Sequence, residues 1–315
     1  NNHMGIIFDW FYRQSWNVYA YDEFLQNYRK DNSLWNSGIE GSIDYNYSKG
    51  NFRLNAVCNI ASYRNLLNNN TGYFYGTGMT RIGTAVRNQS DYPLSSFFGY
   101  EVSGLFKDNT EISGAPSQDG AQPGFFRYAN QNSDNIINSD DRVVLGSPNP
   151  DFTTTFDLEL AYKRFDLSGL FYWSQGNEIF NFTKWWNDFW PSFSGQKSKR
   201  LLYDSWTEQN KNTSVPKASN TSNFSTNTVI NSYYIEDGSY LRLKTIRLGY
   251  SFNEASLRKA RISSLYLYLQ AVNLFTLTKY SGLDPEIGGD ATAFGIDKGN
   301  YPNTTQFMIG LRLGI

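Results

Sequence analysis

Apolar and polar residues alternate with a period of two in one segment after another of this chain, and that alternation limits its fold more than any other feature. The stretch SYYIEDGSYLRLKTIRLGYSF, residues 232–252, turns at Asp237, Gly238 and Ser239 and then alternates. Leu241 and Leu243 mark one face, and Ile246, Leu248, Tyr250 and Phe252 resume the alternation after a slip near Lys244 and Thr245. One skipped residue in such a pattern is the mark of a half-buried strand with a β-bulge. Its apolar face must rest on a protein core or on lipid. No run approaches the roughly 18 consecutive apolar residues of a transmembrane helix. Lipid contact therefore requires a closed β-barrel, the other spanning form that satisfies its own backbone.

Composition favours lipid. Hydrophobic residues are only 40% of the 315, yet aromatics reach 17% through 23 Tyr, 23 Phe and 8 Trp. Soluble cores lean on aliphatic residues, whereas a ring with one apolar and one wet end suits a membrane interface. The net charge of -1, without a basic stripe, argues against nucleic acid as a partner. A single Cys58 forms no internal disulfide, and a single His3 argues against a zinc or Cys/His catalytic centre. Neither a Ser, His and Asp set nor a phosphate-cradling Gly loop is present, so no enzyme is expected. The chain opens on the strand-like NNHMGIIFDWFYRQS, so any export signal is expected to have been removed or to lie outside this sequence.

Strand patterns recur along the chain. Ile6, Phe8, Trp10 and Tyr12 share one side of a first strand; Ile39, Ile43, Tyr45 and Tyr47 share a face of the next. After a turn at residues 48–51, Phe52, Leu54, Ala56, Cys58 and Ile60 continue, which makes a hairpin with arms of about ten residues, the length a tilted strand needs to cross a bilayer. A second hairpin turns near Lys163 and Arg164, a third joins residues 241–252 to 265–275 by way of NEASLRKARIS, and the chain ends on QFMIGLRLGI. There Phe307, Ile309, Leu311, Leu313 and Ile315 face one way, and Met308, Gly310, Arg312 and Gly314 the other. Phe307, Gly310, Leu313 and Ile315 fit the apolar terminal pattern that a barrel-assembly machinery reads.

The reading is thus all-β, about eight antiparallel transmembrane strands with connections alternately short and long. Residues 63–151, 177–238 and 277–304 read as long structureless loops, rare in compact soluble domains and usual on the outer side of outer-membrane barrels. Turns near Lys49, Arg164 and Ala255 would then be periplasmic. A secreted, sugar-binding β-sandwich with large insertions shares the pattern.

Several segments resemble, in order, the SusC/RagA family of TonB-linked outer-membrane proteins of the Bacteroidetes: NSGIEGSIDYNY, YPLSSFFGYEVSGLF, PGFFRYANQNSDNIINSDDRVVLGSPNPDF, WTEQNKNTSVPKAS, SYYIEDGSYLRLKTIRLGYSF, NLFTLTKYSGLDPEI and YPNTTQFMIGLRLGI. The chain departs from the family at Ile315, where Phe is usual, and at Lys217, where Arg follows the Pro. The resemblance implies the C-terminal part, residues 1–315, of a barrel of about twenty-two strands. The plug domain and the N-terminal strands would lie outside this sequence. It further implies TonB-dependent nutrient import of oligosaccharides or peptides through the outer membrane, under a SusD-like surface lipoprotein. The TonB complex would act through the missing N-terminal region, and the remaining barrel and lipid complete the partners. A docking barrel in a larger outer-membrane complex and a passive porin are the alternatives.

Two loops carry candidate chemistry. Asn130, Asn132, Asp134, Asn138 and Asp141 stand at positions 1, 3, 5, 9 and 12 of a twelve-residue calcium loop, with Asn135 where Gly makes the sharp turn. The family has further aspartates where Asn130 and Asn138 stand here, so calcium competes with a turn held by its own Asx hydrogen bonds. In TKWWNDFWPSF, Trp185, Trp186 and Trp190 surround Asp188. Flat rings beside a carboxylate suit a sugar or a peptide; alternatively they belong to an aromatic girdle or pack against a lid protein. Asp237 and Gly238 read as a turn into a strand.

Overall fold

The computed structural model describes residues 3–22, 26–69, 73–75, 79–189, 197–253, 257 and 261–315. Eight strands form its wall: β1 (Met4–Asp22), β2 (Asn27–Lys49), β3 (Phe52–Asn69), β4 (Phe152–Tyr162), β5 (Phe165–Gln175), β6 (Tyr240–Ser251), β7 (Ser264–Thr278) and β8 (Gln306–Gly314). They pair antiparallel in sequence order, and β1 and β8 are the two edges of the sheet. Two-residue turns join β2 to β3 at Gly50 and Asn51, and β4 to β5 at Lys163 and Arg164, with Gly50 and Lys163 in the left-handed region (φ 59° and 54°). The expected turn at Ala255 lies outside the described residues. The bulge stands where the alternation slips: adjacent Leu170 and Phe171 of β5 pair with Thr245 and Leu243 of β6, which leaves Lys244 as the extra residue.

One face of the wall is apolar from end to end. A row of paired residues, Tyr45, Ala56, Leu158, Gly169, Ile246, Ala271 and Phe307, crosses seven strands. Toward the tight turns, Phe52, Tyr162, Phe165 and Tyr250 pair in succession, and the Phe165 and Tyr250 rings lie 4.8 Å apart. Toward the loops, Trp173 packs edge-on against Phe152 at 5.0 Å. Phe165 and Trp173 end the outward face of the same strand, β5. The strand between them is about 27 Å long, which at a tilt of about 40° spans about 20 Å of membrane. That is close to the apolar band of about 25 Å between the aromatic girdles of outer-membrane barrels. The opposite face carries Asn46, Asn55, Glu159, Ser168, Arg247 and Gln270 across the same strands.

Two expectations fail. The first hairpin's arms are 23 and 18 residues long, not about ten. Pairing continues past the lipid-facing segment through Asn36 opposite Asn65 and Leu34 opposite Leu67, because a ladder hydrogen-bonds as well in water as in lipid while alternation is demanded only where one face meets lipid. The long connections, moreover, are folded. Residues from all three share one buried core in which Phe97, Phe126, Phe180, Trp185 and Tyr234 are at most 1% exposed. Glu178–Asn181 pairs with Ile235–Asp237 and, in parallel, with Ile296–Asp297, tying two of the loops together. The third joins through Tyr100 N–H to Ile230 O (3.0 Å) and Phe126 N–H to Ser225 O (2.9 Å). Polar side chains satisfy the irregular backbone inside this cap: the Gln118 amide donates to Phe126 O (2.7 Å) and that of Asn227 to Phe189 O (3.0 Å).

Candidate functional site

The helix Phe182–Asp188 organises the most site-like part of the cap. Asn181 caps it by accepting from Lys184 N–H (2.9 Å) and Thr183 Oγ1 (2.6 Å). Helical spacing sends Phe182, Trp185 and Phe189 into the core and Lys184 and Asp188 to another side. The second side borders a cavity of about 530 Å³, lined by Trp186, Asp188, Arg200, Ser281 and Asp297 among others.

The sequence candidates part company here. Trp185 is buried, stacked on Phe182 at 5.0 Å, with its Nε1 donating to Asn227 O at 2.8 Å. Half-buried Trp186 lines the cavity, with the Arg81 guanidinium 4.9 Å from its ring centre. Buried Asp188 is held by Ser198 Oγ and by Arg200 at 2.7 Å. Trp190 lies outside the described residues. On the cavity side of the helix, Lys184 donates to Tyr233 O (2.6 Å) and pairs with Glu236 (3.2 Å). Burial works to raise the Glu236 carboxyl, but Lys184 and the Ser281 hydrogen bonds outweigh it and hold it below the usual carboxylate range.

The Asn130–Asp141 loop is closed by its own Asx hydrogen bonds. Asn130 accepts from Ser133 N–H (2.8 Å), Asn132 from Asp134 N–H (3.1 Å), Asp134 from Ile136 N–H (2.9 Å) and Asn138 from Asp140 N–H (2.8 Å). Asp141, fully buried, takes Gln131 N–H and Asn138 N–H at 2.7 and 2.8 Å. Among the described residues no three His, Cys, Asp or Glu side chains converge as metal ligands would.

On β8, Phe307 and Leu313 lie on the exposed apolar face with Ile315 just beyond the strand. Gly310 stands opposite Tyr268, whose ring leaves no room for a Cβ. At the entry to β6, Asp237 accepts from Ser239 N–H (2.9 Å), and Gly238 lies too close to Asn177 and Ile179 for a side chain.

One cluster escaped the sequence reading. Arg242 and Lys244 project from the polar face of β6, and the β7–β8 loop folds back onto them. Arg242 is 2% exposed; it reaches Asp284 at 2.6 Å and Glu286 at 2.5 Å, and Lys244 reaches Glu286 at 2.7 Å. Burial works to raise Asp284, yet the Glu286 and Asn303 backbone N–H groups, with Arg242, leave it lowered. Alternation sets the two cations apart from the apolar face of Leu241 and Leu243. It carried no sign of acids some forty residues on.

No family model matches the sequence. Among curated proteins the chain is similar to TonB-dependent receptor P26 of Formosa agariphila (32% identical over 299 residues, 89% of this chain and 29% of the relative) and to receptor P3 of the same organism (33% over 228 residues, 70% and 22%). It is 28% identical over 225 residues to TonB-dependent receptor SusC of Bacteroides thetaiotaomicron, covering 70% of this chain and 19% of SusC. Of solved structures, one of the RagAB peptide transporter superposes with a TM-score of 0.75 at 25% identity, over 99% of this chain and 34% of that one. The chain thus spans between about a fifth and a third of the length of these proteins. An eight-stranded wall with a lipid-facing side, matched in order to these receptors, places the chain in the SusC/RagA type of TonB-dependent receptors, a family of outer-membrane β-barrel transporters rather than enzymes, of which it is one part.

Proposed function

We propose that this chain is the C-terminal part of the barrel of a TonB-dependent importer that takes up oligosaccharides or peptides. The wall's two edges are paired by the remaining strands, to a total of about twenty-two. A SusD-like lipoprotein sits on the cap, and TonB acts through a plug outside this chain. The observation that carries the reading is the cap itself. Three loops at the end of the wall opposite the tight turns share one core, and two of them line an open cavity bordered by Trp186, Asp188 and Arg200. Ordering so much loop costs entropy, which a preformed recognition surface at the barrel mouth repays and a passive pore has no use for. The RagAB likeness favours peptide as the cargo.

Uptake of labelled peptides and neutral oligosaccharides by cells carrying the full-length receptor tests this, with and without TonB. Import that needs both receptor and TonB supports it. Import that persists without TonB identifies a porin, and import indifferent to the receptor identifies a docking barrel. For the Asn130–Asp141 loop we propose at most a weak calcium site, since two carboxylates are fewer than tight sites use.

A further inference from the structure

The two carboxylates on Arg242 and Lys244 are held differently. Asp284 is built in: its side chain is 8% exposed, and it also accepts Glu286 N–H at 2.9 Å and Asn303 N–H at 2.8 Å. Glu286 is 40% exposed, and among the described residues its carboxylate accepts hydrogen bonds only from side chains, namely Arg242, Lys244 (2.7 and 2.9 Å) and the Asn303 amide (3.1 Å). Tyr240 and Tyr172 flank the cations: the Arg242 guanidinium lies 5.3 Å from the Tyr240 ring centre, and the Lys244 ammonium 5.5 Å from that of Tyr172. The result is a guanidinium and an ammonium, oriented by the strand and its bulge, closing on one exchangeable carboxylate.

We propose that Arg242 and Lys244 form a binding seat for a carboxylate of the cargo, and that Glu286 is the chain's own occupant of it. Resting on the importer reading, this adds a chemical class to it: cargo with a free carboxylate, from a peptide or a uronate sugar. Two cations and two acids sum to zero charge. An incoming carboxylate that displaces Glu286 keeps the seat neutral, and Glu286, already half in water, is rehydrated at small cost. Displacing Asp284 instead would strand two backbone N–H groups and a buried guanidinium. A neutral ligand has nothing to offer the cations and leaves Glu286 in place. Glu286 therefore acts as a selectivity gate, admitting anions that outcompete it.

Titration calorimetry on the purified full-length receptor tests the seat. The probes are a pentapeptide with uncharged side chains as free acid and as C-terminal amide, and a uronate oligosaccharide with a neutral counterpart. Glu286→Gln removes the internal competitor and should tighten at least one carboxylate probe by roughly tenfold, the scale of one charge-assisted hydrogen bond. The matching neutral probe should not change. Which probe gains tells peptide from sugar acid. Adding Lys244→Met should cancel the gain, and Glu286→Ser repeats the test should the amide fold poorly. Equal affinities in all variants, or equal gains for acid and neutral probes, overturn the proposal. If uptake still needs TonB when the titration shows no gain, Glu286 is only a structural partner and the importer reading stands.

Discussion

The wall and the cap use the same aromatic-rich composition for opposite purposes. In the wall, rings and aliphatic side chains of the outer face remain exposed: Trp10 is 68% and Ile309 79% accessible. In the cap, Phe97, Phe126 and Phe180 are entirely buried. A lipid bilayer takes the place of a core for the wall, so its strands need only alternate. The cap stands in water and must bury its apolar groups in the ordinary way. Stability in the wall is therefore a matter of which face a residue is on; in the cap it is a matter of packing.

That contrast can be broken by substitution. The largest effect is expected from Trp185→Ala, which removes the biggest fully buried side chain and its hydrogen bond to Asn227, at about 3–5 kcal/mol. Limited proteolysis should then cut the cap while the heat-modifiable barrel persists; loss of both would mean that wall and cap are one cooperative unit.

Next comes Leu158→Arg, on the row midway between the aromatic ends of β5, at about 2–4 kcal/mol. The neighbouring Glu159→Arg points to the polar face and should be tolerated. Folded barrel recovered from outer-membrane fractions of full-length receptor measures both, and equal recovery would show the faces misassigned. Leu311→Arg lies on the row of Phe165 and Tyr250, near the interface, and should cost only about 1 kcal/mol.

A smaller effect concerns pH. Asp284 and Glu236 titrate below the ordinary carboxylate range when folded, so the stability they lend is present above the unfolded values of about 4 and lost as pH falls through the folded ones. Proteolysis of residues 279–305 should rise on acidification below about pH 4. No rise would mean that pairing at Ile296–Asp297, rather than the ion pairs, holds the loop. Least of all, calcium should alter the cap's thermal unfolding little, and Asn130→Asp should strengthen its binding. An unchanged titration after that substitution would remove the loop as the site.

Alternation and turn chemistry were enough to read the wall. The slip at Lys244 and Thr245, the turns at Gly50 and Lys163 and the face shared by Phe307, Ile309 and Leu311 all follow from neighbours in the chain, since a strand's period of two is local. The extra length of β2 and β3 was not legible, because polar residues pair beyond the lipid without any pattern to announce it.

Sequence alone, then, determined the faces, because lipid imposes one rule on every strand that meets it. Only the tertiary structure decided the cap and the seat. Trp185 and Trp186 are adjacent and chemically alike, and a helix of seven residues turns one into the core and the other to a cavity. Arg242 meets Asp284 across forty-two residues because β6, β7 and the loop between β7 and β8 fold back on one another. Contacts of that kind leave no periodic trace, for their partners are chosen by the path of the chain through space.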